Sequence, residues 1–218
     1  MMKNEVLQER TGDWQVEVEI YETYVRKIPK DKEAVMEIIK TSGWGQRLDQ
    51  EERTKAAQES INRHIQSVAL IQASFMPLEF LGNPKFQAHG VILQDKVLML
   101  KELFQVWEQQ HEFTKIQKCL DDFIELHLLC WEYGLFELSF NFSLNNGVDG
   151  EGNLIFVDVG EFTNDLAVIK KNLEEKIWQH CWSVKNDLKV NVRDKYIKKA
   201  SDRFTYENFQ SLWQKRCI

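Results

Sequence analysis

Cysteine is scarce in this chain and poorly placed for chemistry. The four cysteines, Cys119, Cys130, Cys181 and Cys217, lie far apart, and none forms a Cys-x-x-Cys or a Cys/His pair at zinc-finger spacing. That spacing argues against a structural zinc site and predicts free thiols in a reducing compartment. No apolar run is long enough to span a bilayer, and the opening MMKNEVLQER is polar, unlike a secretory leader. The expectation is a soluble, cytoplasmic protein with no membrane partner. Positive charge is also in deficit: 28 Lys and Arg against 34 Asp and Glu give a net charge of −6, which argues against wholesale nucleic-acid binding. Internal repeats and low-complexity segments are missing. Apolar residues are plentiful, at 43% of 218 positions with 11% aromatic, ample for a core in one domain or two small lobes.

Periodicity divides the chain into a β-rich first part and a helical second part. Residues 1–12 read as a loosely packed opening segment ending at Gly12. From Trp14 onward, Val16, Val18 and Ile20 alternate with Glu17 and Glu19, the period of a half-buried strand. A turn at 21–23 and a second strand over 24–28, closed by Pro29, follow. Residues 34–39 fit one or two helical turns, broken by Gly43-Trp44-Gly45, with Trp44 either a surface anchor or a lid folded back. The stretch 49–73 predicts a long helix with Asp49 as N-cap and Glu51 and Glu52 in its first turn. Its expected inner face is Ala56, Ala57, Ser60, Ile61, His64, Ile65, Val68 and Ala69. Strands are predicted over 78–81, 86–93 and 96–100, and helices over 103–110, 113–133, 166–182 and 196–213, with Gly134 stopping the second. His64 and His127 fall on apolar faces and read as packed core histidines.

The stretch 139–161, SFNFSLNNGVDGEGNLIFVDVGE, is the most informative. Asn141, Asn145 and Asn146 cluster in a loop, residues 149–153 have turn chemistry, and a short β-rich run ends on Asp158-Val159-Gly160. A strand delivering a carboxylate beside asparagine side chains gathers oxygen ligands of the kind Mg²⁺ prefers. An EF-hand over 149–160 is excluded, because its sixth and twelfth places hold Leu154 and Gly160. The plainer reading is a β-hairpin with an asparagine-rich turn.

This stretch resembles the catalytic core of the protein-kinase-like superfamily, whose catalytic loop H-R-D-x-K-x-x-N is followed by a hairpin and D-F-G. Residues 139–146 fit that loop without a gap, and Asp158-Val159-Gly160 falls where D-F-G should. The resemblance implies Asn146 and Asp158 as metal ligands, with Asn141 at the position of the catalytic Asp and Ser143 at that of the Lys. Val25-Arg26-Lys27-Ile28 is similar to the strand V-A-I-K, which implies Lys27 as the lysine on the nucleotide α/β-phosphates; the plainer reading is an exposed strand lysine. The helix over 49–73 takes the place of αC, with Glu59, or else Glu52, as partner for Lys27. Lys101, Glu102 and Leu103 take the place of the hinge that meets an adenine. The phosphate-covering glycine-rich loop is missing, since Gly12 is the only glycine before Gly43, and no A-P-E signature follows Asp158.

The resemblance thus implies an α+β, bilobal kinase-like fold, with a β-rich N-lobe over 1–102 and a reduced helical C-lobe over 103–218. It also implies ATP and Mg²⁺ as cofactors. Asparagine is not appreciably basic, so Asn141 points to a pseudokinase that binds ATP–Mg²⁺, a protein partner, or both. Two alternatives stay open. One is an active small kinase whose missing carboxylate comes from Asp149, Glu151, Glu161 or Asp165. The other is an interaction module with no nucleotide site. Residues 189–218 carry eight Lys and Arg against three Asp and Glu, either a solvated helical face or a docking patch for an acidic partner.

Overall fold

The computed structural model describes residues 6–10 and 15–214, and its class is α+β with small antiparallel sheets. The first sheet comprises β1 (Gln8–Arg10), β2 (Val16–Ile20), β3 (Tyr24–Pro29), β4 (Lys85–Phe86) and β5 (Ile92–Asp95), in the order β1-β2-β3-β5-β4. The strand β1 corrects the expectation of a loose opening segment: its backbone pairs with β2, Glu9 opposite Glu19. Gly12 and the strand start expected at Trp14 lie outside the described residues.

Two helices follow β3. The first, α1 (Lys32–Thr41), is longer than its apolar pattern implied, because Asp31 caps it by accepting from the Ala34 amide at 2.8 Å. The second, α2 (Gln50–Ala73), begins at a full capping box: Asp49 accepts from the Glu52 amide at 2.8 Å, and Glu52 accepts from the Asp49 amide at 2.9 Å. The strand expected over 78–81 is a 3₁₀ turn, Leu78–Leu81, ended by Gly82 in the left-handed region. The long strand expected over 86–93 is broken by a second such turn at 88–90, where His89 has φ 59°.

A short strand β6 (Leu98–Met99) leads into α3 (Leu100–Gln109) and α4 (Phe113–Glu132), the latter stopped at Gly134 with φ 72°. The boundary expected at 102/103 therefore falls inside α3. Next come β7 (Phe136–Glu137), one turn of helix α5 (Phe142–Asn145), β8 (Asn146–Val148), β9 (Leu154–Phe156) and β10 (Phe162–Thr163). Strand β8 pairs with both β6 and β9, and β10 pairs with β7.

The single helix expected over 166–182 is divided. It runs as α6 (Leu166–Glu174), turns at Lys176 with φ 52°, and resumes as α7 (Trp182–Asn186). The chain ends in α8 (Val190–Arg203) and α9 (Tyr206–Gln214). Among the described residues no helix is long and apolar enough to cross a membrane.

The larger of two apolar clusters among the described residues runs around α4, and the smaller, Val35, Ile39 and Ala57, joins α1 to α2. Phe123, Trp131, Phe136, Phe140, Phe142, Trp178, Tyr196, Phe204 and Phe209 are all buried in the larger. Gln94 on β5 ties the first sheet to this body, its amide donating to the carbonyls of Leu81 and Phe156. The basic C-terminal helix lies against acidic residues rather than standing free: Lys199 meets Asp121 at 3.0 Å and Arg203 meets Glu125 at 3.0 Å.

Candidate functional site

A cavity of about 1030 Å³ opens between the five-stranded sheet and the segments 96–99, 141–145 and 157–161, with α2 along one side. Val16, Val18 and Val25 supply apolar lining from the sheet, and Leu144 and Val157 from the other side. Trp44, 45% exposed, lines the same space. The polar lining includes Lys27, His64, Gln94, Asn145, Asp158 and Glu161. Apolar walls with a few convergent polar groups are the usual make-up of a small-molecule site.

The segment after β9 is held by the helix beside it. The Ser67 hydroxyl donates to the Val159 carbonyl at 2.6 Å and accepts from the Phe162 amide at 2.8 Å. Val157 and Asp158 are fixed from the other flank, their amides donating to the Asn145 carbonyl at 2.8 and 3.4 Å. Asp158 Oδ1 accepts from the Gly160 amide at 2.8 Å. Gly160 has no room for a side chain: a Cβ there would sit 2.4 Å from Gln15 Oε1 and 2.7 Å from His64 Nδ1.

Lys27 crosses from β3 and donates its ammonium to the Val157 carbonyl, a contact spanning 130 residues of sequence. It thereby reaches the residue next to Asp158. Of the residues singled out from the sequence, Lys27, Glu59, Glu102, Asn141 and Asp158 line the cavity.

Three placements differ from expectation. Asn146, expected to be a metal ligand, is 1% exposed, and its amide donates to the Ile155 carbonyl at 3.2 Å; of this adjacent pair it is Asn145 that lines the cavity. The turn of α5 advances the chain so that Asn146 becomes the first residue of β8. Glu59, expected beside Lys27, is exposed, and its carboxylate lies 3.9 Å from Lys55 one turn back. Lys101, Glu102 and Leu103, expected as an extended hinge, form the first turn of α3, while the chain crosses the cavity at Lys96, Val97 and Met99. Lys101 places its ammonium 4.9 Å from the Trp182 ring, and Leu103 packs on the core.

The two departures from the kinase loop have structural occupations. Asn141 Oδ1 accepts from the Trp182 and Ser183 amides at 3.0 and 3.4 Å, at the N-terminus of α7. Ser143 is fully buried, its hydroxyl bonded to that of Ser183 at 2.7 Å and donating to the Asp187 carboxylate. Of the four carboxylates that could replace the base, Glu161 alone lines this cavity. Asp149 is consumed in the hairpin turn, accepting from the Glu151 and Asn153 amides at 2.9 Å each, and Asp165 caps α6 at 2.9 Å from the Ala167 amide.

The residue that sequence reasoning missed is His64. It is buried, as expected of a core histidine, yet it lines the cavity, and neither ring nitrogen has a hydrogen-bond partner among the described residues. Burial, and then the charge of Lys27, pushes its imidazole down to about 4, so it is neutral near pH 7. The only sequence signal was a histidine among apolar neighbours, which a packed histidine shares. His127 is a true core residue: its Nδ1 lies 3.0 Å from the Phe123 carbonyl and its Nε2 3.2 Å from Glu137.

A lysine cation, a carboxylate and an amide oxygen in one apolar-walled cavity suit a phosphate-bearing ligand with a divalent cation. Asn145 has its Nδ2 committed to the Ser139 hydroxyl at 2.8 Å, which leaves Oδ1 as the oxygen donor beside Asp158. Among the described residues no cluster of three His, Cys, Asp or Glu could hold a metal, so any Mg²⁺ here needs oxygens from a ligand as well. No protein-family model matches the chain, and no curated protein matches it in sequence.

Proposed function

We propose that the protein is a divergent, bilobal kinase-like protein that binds ATP–Mg²⁺ in this cavity and acts chiefly as a pseudokinase, through a protein partner. The observation that carries the reading is the contact of Lys27 with the Val157 carbonyl, next to Asp158. It brings Lys27 to the neighbour of Asp158, and the kinase resemblance singled out both Lys27 and Asp158 although they lie far apart in sequence. The element order supports it too: strands with a lysine, two helices, further strands, a crossing segment, a short and a long helix, a polar loop, a hairpin and Asp-Val-Gly.

In this reading Lys27 holds the phosphates, while Asp158 and Asn145 hold Mg²⁺, which neutralises phosphate charge. The apolar walls take the base. Asn141 cannot accept a proton from an acceptor hydroxyl, and its oxygen is already engaged by two amides. Glu161 in the lining favours a second reading, an active atypical kinase with its carboxylate supplied from the segment after Gly160.

Thermal unfolding with and without ATP and Mg²⁺ tests the site. At a hundred times its Kd, a ligand that binds only the folded state adds about 2.7 kcal/mol. The wild type is expected to show a Mg²⁺-dependent shift that Asp158→Asn and Lys27→Ala lose. A radiolabel-transfer assay then separates pseudokinase from kinase. No shift at saturating nucleotide overturns the proposal in favour of an interaction module without a nucleotide site.

A further inference from the structure

His64 is an unusual side chain to leave facing a cavity. It is 7% exposed, and neither ring nitrogen has a partner among the described residues, although a buried polar group without a hydrogen bond is costly. Its surroundings keep it in the cavity wall. Gly160 lies close enough that a Cβ would come within 2.7 Å of Nδ1, so the glycine leaves the imidazole its space. Gln94, 1% exposed and lining the same cavity from β5, likewise has an Oε1 without a partner among the described residues. Unpaired buried polar atoms gathered on one cavity are what a site looks like when part of its hydrogen bonding is left to a ligand.

The groups around His64 decide what that ligand does to it. Lys27 on β3 contributes a positive charge that disfavours a second one. Asp158 and Glu161 come from the segment after β9, and Glu59 and Arg63 flank His64 on its own helix. A Mg²⁺-bound polyphosphate entering beside Lys27 remains net negative and adds that charge, with its acceptor oxygens, to this set. Both favour a charged imidazole that donates from its nitrogens.

We propose that His64 is a phosphate-binding residue whose imidazole takes up a proton from solvent when a nucleoside polyphosphate binds beside Lys27, so that binding and protonation are coupled. The inference rests on the nucleotide reading above and adds to it a residue and a pH dependence. By linkage, uptake of one full proton per ligand weakens binding tenfold for each unit of rising pH.

Calorimetric titration of the full chain with ADP and Mg²⁺, between pH 6.5 and 8.5 and in two buffers of different ionisation enthalpy, is the test. The expected result is proton uptake by the wild type and a Kd that rises with pH. In His64→Gln the uptake disappears and Kd becomes nearly independent of pH. Wild-type binding without proton uptake, or equal uptake in His64→Gln, overturns the role of His64 and leaves the nucleotide site standing. Absence of binding at every pH overturns both. Should His64→Gln fail to fold, ¹³C-histidine NMR of the wild type decides: a buried imidazole turning from neutral to charged on adding ADP and Mg²⁺ upholds the proposal, and unchanged histidine signals overturn it.

Discussion

The side-chain oxygen of Asn141 accepts from two amides that begin α7, and this bonding fixes what the residue can do. An aspartate there would accept the same bonds and gain from the positive end of the helix. Asn141→Asp is therefore expected to match or exceed the wild type in urea midpoint while gaining no phosphoryl transfer, because its carboxylate stays on α7. Asn141→Ala should lose about 1 kcal/mol, the usual cost of a missing cap. Radiolabelled ATP and denaturation curves check both, and appearance of transfer in Asn141→Asp would show that the loop is only one side chain from catalysis. The adjacent asparagines show where residue-level legibility stopped. Asn145 and Asn146 are chemically identical in the sequence, and motif spacing selected the second. Only the turn of α5 and the pairing of Asn146 with Phe156 in the β8–β9 ladder show that the second faces inward.

Helix α2 was legible in length and capping, but its buried face was misjudged. Apolar periodicity put Ile65 inside, yet Ile65 is 60% exposed; Ala57 and His64 are buried as expected, and Ser67 and Ile71, outside the expected face, are buried with them. The cause is the surface it meets. Between Val157 and Phe162 that surface is backbone with carbonyls and amides to satisfy, and a hydroxyl serves it better than a methyl group. Ser67→Ala would leave the Val159 carbonyl and the Phe162 amide unpaired, both currently served by one hydroxyl. A loss of about 1–3 kcal/mol is expected, measured as a lower urea midpoint, since an unmade buried hydrogen bond costs that much. A loss within error would mean that α2 and the Asp-Val-Gly segment are held together by other contacts. The basic charge after residue 189 was visible in composition, but its destination was not, because Asp121 and Glu125 lie on a distant helix.

For the molecule as a whole, the long helices could be read from periodicity, whereas the short turns and strands and the polar groups inside could not, and those polar groups set its response to acid. Both nitrogens of His127 face acceptors, the Phe123 carbonyl one turn back on α4 and the Glu137 carboxylate on β7. Burial pushes the Glu137 carboxyl up, but His127, the Ser139 hydroxyl and the Phe140 amide outweigh it and hold the carboxyl below its usual value of 4.5. The stability it contributes is complete above that value and is lost as the pH falls through its lower value in the folded protein. His64 acts in a higher window. Between pH 6.5 and about 4 the unfolded chain binds a proton at His64 that the folded chain refuses, so stability falls as the pH falls. At 1.36 kcal/mol per unit this amounts to ~3 kcal/mol across the window. Urea denaturation from pH 8 to pH 3 should therefore show a decline that starts near neutrality, with a further loss below about 4.5. His64→Gln should flatten the first decline without changing the second. Glu137→Gln should cost about 1–3 kcal/mol even at pH 7, because it turns into a donor one of the two buried oxygens that accept from the Ser139 hydroxyl and the Ser139 and Phe140 amides. An unchanged decline in His64→Gln would place the upper window on another group and remove the assignment of a neutral, unpaired imidazole to the cavity wall.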